Sequence, residues 1–231
     1  TMTGSIVATD DFYVVFQGKA VASVTHPSNS ALNATSGTFS NGLSVDGGSV
    51  KLDGNYPTGT NNVALGNAAL DDASLSGSSN VAIGFNALTA NTSASNNTAI
   101  GTNALSSNTT GTRNTALGME ALKTITTGNY NTAVGYQALE LNTGNNNTAV
   151  GDQALEANTS GTNNSALGDD ALVANTTGGS NVAVGASALS SNTTASNNTA
   201  VGWKALSANT TGDENTAVGR TSLENTTTGT D

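Results

Sequence analysis

Asn131-Thr132-Ala133-Val134-Gly135-Tyr136-Gln137-Ala138-Leu139 returns as Asn198-Thr199-Ala200-Val201-Gly202-Trp203-Lys204-Ala205-Leu206, and eight further variants of the same phrase occupy the chain from residue 62 onward. The opening Asn stands at 62, 80, 97, 114, 131, 147, 164, 181, 198 and 215, a spacing of 17 broken by one 18 and one 16. Self-similarity at a fixed spacing makes each copy one structural unit stacked on its neighbours. The fold class that follows is all-β: a parallel β-solenoid, or β-roll, of about ten 17-residue coils covering residues 61–231. At one coil per strand spacing, ten coils make a shaft of about 47 Å.

Within Asn-Thr-Ala-Val-Gly, side chains alternate, so the second and fourth residues share one strand face and the third and fifth the other. The fourth position is always aliphatic, from Leu65 and Ile83 through Val134 and Val150 to Val218. Hydrophobicity predicts that this column fills the interior together with the Leu column, Leu70 through Leu223. The opposite column of Ala64 through Ala217, each followed by an aliphatic and then Gly, carries almost no side chain and predicts close approach of another backbone. On that reading it is a subunit contact, and a thin core of two aliphatics per coil favours a homo-oligomer, most simply a trimer about the long axis.

The opening Asn and a second Asn in most copies (Asn91, Asn108, Asn142, Asn158, Asn175, Asn192, Asn209) would stack along the rod. Asn tolerates left-handed backbone, and its amide can pair with its copies in a ladder. Plain turn propensity without a ladder explains the same residues. The irregular copies carry their extra or missing residues after Ala-Leu, at Asp71-Asp72-Ala73-Ser74-Leu75 and Asn142-Thr143-Gly144, which predicts a corner there. A helical turn over Gln153-Ala154-Leu155-Glu156-Ala157 is the local competitor, but about five residues between Gly and Asn-Thr are too few for a helix to stand alone.

Residues 1–60 differ in composition. They hold five of the nine aromatic residues, Phe12, Tyr13, Phe16, Phe39 and Tyr56. Residues 12–16 and 20–24 read as strands around Gln17-Gly18-Lys19, and residues 42–45 and 49–52 as a second pair around Asp46-Gly47-Gly48. The expectation is a small β-rich module that caps or attaches the shaft.

Composition excludes several functions. The net charge is −10, and the six basic residues are scattered singly, which argues against a nucleic-acid partner. There is no cysteine for a disulfide or thiolate metal site, and no run of apolar length suited to membrane insertion. The start, residues 1–6, lacks the pattern of a secretion signal. Leu, Ile, Val and Phe number only 42 of 231 residues, a level at which disorder is the usual reading, yet a disordered chain has no reason to keep its aliphatics in phase.

Two resemblances rest on the repeat. Asn80-Val81-Ala82-Ile83-Gly84 and Asn181-Val182-Ala183-Val184-Gly185 resemble the head repeat of YadA-type trimeric autotransporter adhesins, which implies a trimer of left-handed parallel β-rolls. Residues 62–231 also resemble the Asn-Thr-Ala-Val-Gly-x-x-Ala-Leu arrays of phage tail fibre and structural proteins. That resemblance implies a virion or extracellular location, a trimeric shaft and contact with a host surface.

Site chemistry is sparse. His26 is the only histidine and stands beside Pro27, so one chain assembles neither a His-based metal site nor a Ser-His-Asp triad. The pairs Asp10-Asp11, Asp71-Asp72 and Asp169-Asp170 lack the alternating spacing of a calcium loop and read as solvated corner charges. No catalytic, cofactor or metal residue is assigned. Copies differ most at the two positions after Gly, where Tyr136 and Trp203 are aromatics among polar residues, suited to stacking on a surface glycan or to packing across subunits. Rows of Thr raise an ice-binding surface as a rival. Its adjacent pairs, such as Thr176-Thr177, point to opposite faces and argue against one flat grid.

The expected function is therefore that of a non-enzymatic fibre or adhesion protein. It reads first as a phage tail fibre shaft contacting host surface glycans, and second as an extracellular adhesin or self-assembling surface filament subunit.

Overall fold

The computed structural model describes residues 60–229 except Ala73. The strand pairs read from residues 12–52, with the attachment module they would form, and His26 and Asp10-Asp11 lie outside the described residues. Ten three-residue strands follow in order: β1 (Val63–Leu65), β2 (Val81–Ile83), β3 (Thr98–Ile100), β4 (Thr115–Leu117), β5 (Thr132–Val134), β6 (Thr148–Val150), β7 (Ser165–Leu167), β8 (Val182–Val184), β9 (Thr199–Val201) and β10 (Thr216–Val218). They form one parallel sheet in sequence order, each strand pairing with the next. The β-solenoid expected from the repeat is the fold.

Register survives both irregular copies. Val63 pairs with Val81 across the 18-residue copy and Thr132 with Thr148 across the 16-residue copy. The length change is absorbed at the corner after Ala-Leu, because a slip in the strand would turn every side chain to the other face.

Hydrogen bonds between coils run around the whole circumference. On the sheet side Thr132 N donates to Asn147 O; past the first corner Leu139 N donates to Ala154 O; past the next Thr143 N donates to Thr159 O; on the return side Asn163 N donates to Asn145 O. The Ala-Leu segment is not helical. Gln153 and Leu155 both have left-handed backbone, with φ of 51° and 55°, and the same pair of positions repeats in every copy. A Leu in this conformation costs on the order of 1–2 kcal/mol. Leu155 is held there by a bond of its N–H to Ala171 O of the next coil and by complete burial of its side chain.

The strand faces are reversed from the sequence expectation. Ala82, Ala99, Ala116, Ala133 and their equivalents from β2 to β10 are buried, while Leu117 is 44% and Val150 39% exposed. Alternation holds, but the aliphatic column points outward and the Ala column makes the core with the second Ala and the Leu of the first nine copies, while Leu223 of the last is exposed. The physical reason is width. Most coils also turn two Asn side chains inward, at 131 and 142 for example, and beside them the interior has room for a methyl group rather than a Val or Leu from the sheet.

The Asn columns are ladders. Asn164 shows the first: its Oδ1 accepts from Asn181 N at 3.0 Å, its Nδ2 donates to Gly178 O at 2.9 Å, and its own N donates to Asn147 Oδ1 at 3.0 Å. In the second, Asn175 Nδ2 donates to Asn158 Oδ1 and Asn192 Nδ2 to Asn175 Oδ1, both at 2.8 Å. Buried amides thus satisfy one another and the corner backbone, as buried polar groups must. Beside the second ladder a Thr ladder closes the corner from outside, with Thr159 Oγ1 donating to Thr176 O at 2.9 Å and Thr176 Oγ1 to Thr193 O at 3.0 Å.

The glycine after each strand serves the chain itself. Gly135 has φ of 142°, and a Cβ there would collide with the Gly151 carbonyl of the next coil. The close approach predicted for the Ala/Gly column is therefore between successive coils. The subunit groove expected on that column is not there, because Ala133 and its equivalents are interior.

Candidate functional site

The interior of the described coils is filled by Ala, Leu and Asn side chains, which leaves their outer surface to meet a ligand or partner, and three features of that surface stand out. The first is the pair of aromatics singled out from the sequence. Tyr136 and Trp203 both follow a corner Gly and are each 41% exposed. They share one ridge but are four coils apart, about 19 Å at strand spacing, so they do not converge on one small site. Trp203 is not a bare platform: Lys204 Nζ lies 4.8 Å and Arg220 Cζ 4.6 Å from its ring centroid. Both are cation–π contacts. Lys204 follows Trp203 directly and Arg220 is one period further on, so the cluster could have been read from the repeat. Tyr130, on a different ridge, receives a hydrogen bond from Arg113 Nη1, with the guanidinium 5.2 Å from its ring.

The second feature is a charged strip on the side beyond the sheet. Lys123 Nζ lies 3.0 Å from both Glu120 Oε1 and Glu140 Oε1. Gln137 Nε2 donates to Glu120 at 2.9 Å. That bond, then Lys123, holds the Glu120 carboxyl below the usual range, and Glu120, then Glu140, raises the Lys123 ammonium. Further along, burial raises Glu156, with Glu140, Asp170 and Asp152 adding repulsion; burial also raises Asp170, with Asp169 and Asp152 adding to it. Asp169-Asp170 is thus part of a like-charged group. Among the described residues no group of three or more His, Cys, Asp or Glu could hold a metal ion.

The third feature, missed in the sequence, is the outer face of the sheet. Strand positions one and three point outward in ten registered ranks. They carry ten aliphatics in one column and, in the other, Val63, Val81, Val182, Ser165 and six Thr. Thr98, Thr115, Thr132 and Thr148 lie in line on this face, whereas the first Thr of a corner pair, such as Thr176 of Thr176-Thr177, gives its hydroxyl to a carbonyl of the next coil. The repeat does contain a flat Thr row, formed by the strand Thr and not by the adjacent corner pairs. The signal in the sequence was uniformity: the third residue of the phrase, which is strand position two, is Ala in all ten copies, while the fourth, strand position three, varies among Val, Ile and Leu.

No family model, curated protein or solved structure matches this chain. Among the described residues no helix is long and apolar enough to cross a membrane.

Proposed function

We propose that this chain is a non-enzymatic shaft segment of a fibre that makes contact at a surface, most specifically a trimeric phage tail fibre shaft in the virion. The supporting observation is the uninterrupted registry of ten strands, which turns sequence length directly into rod length. Bonding around the whole circumference resists bending and pulling, the property required of a spacer between a particle and its target. The exposed ridge that carries Tyr136 and Trp203 offers aromatic surface for host glycans, with Lys204 and Arg220 beside Trp203 to meet acidic sugars.

Electron microscopy of the native material tests this reading. Fibres attached to capsid tails support it. Long filaments with a regular subunit repeat, or adhesins on a cell surface, favour the alternative of an extracellular adhesin or filament subunit. Hydrolysis of a glycan by the purified chain would overturn the non-enzymatic assignment.

A further inference from the structure

We propose that the outer face of the sheet, and not the Ala/Gly column, is the surface through which copies of this chain assemble side by side around a common axis. The inference rests on the reading of the protein as an oligomeric shaft and identifies where its partner, further copies of the same chain, is seated.

The face is apolar to a degree that the remaining surface is not. Of its twenty outward positions, thirteen are Val, Ile or Leu, seven are Thr or Ser, and none is charged. All fifteen charged side chains of the described residues, from Asp71 to Glu224, lie on the other sides of the coil. Such a division is what a core-facing surface looks like when its covering layer is absent, because a solvent-facing sheet would carry Lys and Glu among its Thr.

The dimensions also fit. Ten ranks at strand spacing and two columns about 7 Å apart, with the width of the side chains, present on the order of 500 Å² per copy. That lies in the upper part of the range of about 300–600 Å² for the largest apolar patch of a monomer, and patches of this size are often functional. A closed trimer burying this strip on each copy removes on the order of 1,500 Å² in total, about 500 Å² for each of its three interfaces, so side chains beside the strip have to join the contact for the assembly to be stable. One edge of the strip is bordered by the ridge of Phe85, Met119, Tyr136 and Trp203, all exposed, so a neighbour seated on the face would meet large side chains at its rim. The Thr hydroxyls then bond across copies or hold bridging water.

The chain contains no cysteine, so a single introduced thiol reports contact without background. In the full chain, Val150→Cys is expected to form an interchain disulfide under mild oxidation, and Thr110→Cys, on a different side, is not. The mass of the native chain in solution is expected to be a multiple of 22.7 kDa and to fall to that of one chain in the double variant Leu117→Glu/Val150→Glu, with the circular dichroism of the folded coil retained. The cysteine variants decide the matter if the double variant fails to fold. A native chain that is monomeric overturns both this inference and the oligomeric reading beneath it. An oligomer that cross-links through Thr110→Cys but not Val150→Cys overturns the face assignment alone. A monomer whose sheet face restrains ice growth, lost on replacing Thr132 and Thr148, also overturns it and assigns the face to water.

Discussion

Replacing Asn164 by aspartate exchanges one nitrogen for an oxygen and changes almost nothing in shape, and the ladder gives the outcome a sign and a pH dependence. Oδ1 still accepts from Asn181 N, but the atom that donated to Gly178 O at 2.9 Å becomes an acceptor facing an acceptor. Residue 164 is fully buried, so the carboxylate is also desolvated. Full burial raises a carboxyl by about 3–5 pH units, and the retained Asn181 N–H offsets part of this, leaving a rise of about three. Below the unfolded value near 4 both states carry the proton, and the acid O–H can donate to Gly178 O in place of the amide. Between there and the raised folded value, stability falls by about 1.4 kcal/mol per pH unit as the pH rises. Asn164→Asp is thus expected to be close to the parent at pH 4 and about 4 kcal/mol less stable at pH 7, each compared with the parent at the same pH. Asn164→Ala, which orphans the Asn181 N–H, loses about 1–3 kcal/mol at both pH values, with the void adding to it. Urea unfolding followed by circular dichroism reads both. An aspartate variant as stable as the parent at pH 7, or equally weakened at both pH values, would refute the ladder argument.

Other positions give contrasting tests. Ile125 interrupts the second ladder and leaves Asn108 Oδ1 buried without a partner; Ile125→Asn supplies a donor to it and an acceptor for Asn142, offsetting lost burial, so its melting temperature should stay within a few degrees of the parent, while Ile125→Ala costs about 2–5 kcal/mol in urea titration. Gly135→Ala meets both an unfavourable φ and the Gly151 carbonyl and should lose more than about 3 kcal/mol, whereas Gly219→Ala at the last coil, with only Ser222 Cβ at 3.9 Å, carries the backbone cost alone, about 1–3 kcal/mol; equal losses in thermal melts would contradict the packing described. The raised carboxyl of Glu156 weakens the fold above its folded pKa and not below its unfolded one, so Glu156→Gln should raise the melting temperature at pH 7 and lose that advantage by about pH 4; an unchanged difference across this range would remove the burial argument.

The period, the strand positions and the corners were legible in the sequence because each depends on spacing alone. The 18- and 16-residue copies placed their irregularity after Ala-Leu, and the strands on either side of them keep register. Spacing could not say which strand face points inward. Alternation separates Ala133 from Thr132 and Val134 without giving the sense, and hydrophobicity favoured Val134. The decision depends on the coil's cross-section, where inward Asn131 and Asn142 leave space for Ala133 only, and cross-section is a tertiary property. The left-handed Leu139 was likewise hidden, since no local preference of Leu suggests a φ of 55°. At the candidate site, the exposure of Tyr136 and Trp203 followed from their place after the corner Gly, and the cations at Trp203 were equally legible, Lys204 as its neighbour and Arg220 one period on, with only their distances from the ring left to the structure.

The most direct test of the stacked, Asn-laddered coil is amide hydrogen exchange on the native chain. The opening Asn of each copy, at 114, 131, 147, 164, 181 and 198, donates its N–H to a buried Asn oxygen of the preceding coil. Thr127, by contrast, lies exposed at a corner. The account predicts that the Asn amides are among the slowest to exchange and recur once per coil, and that the Thr127 amide, which has no such bond, is faster by orders of magnitude. Protection without that recurrence, or rapid exchange along the Asn column, would contradict it.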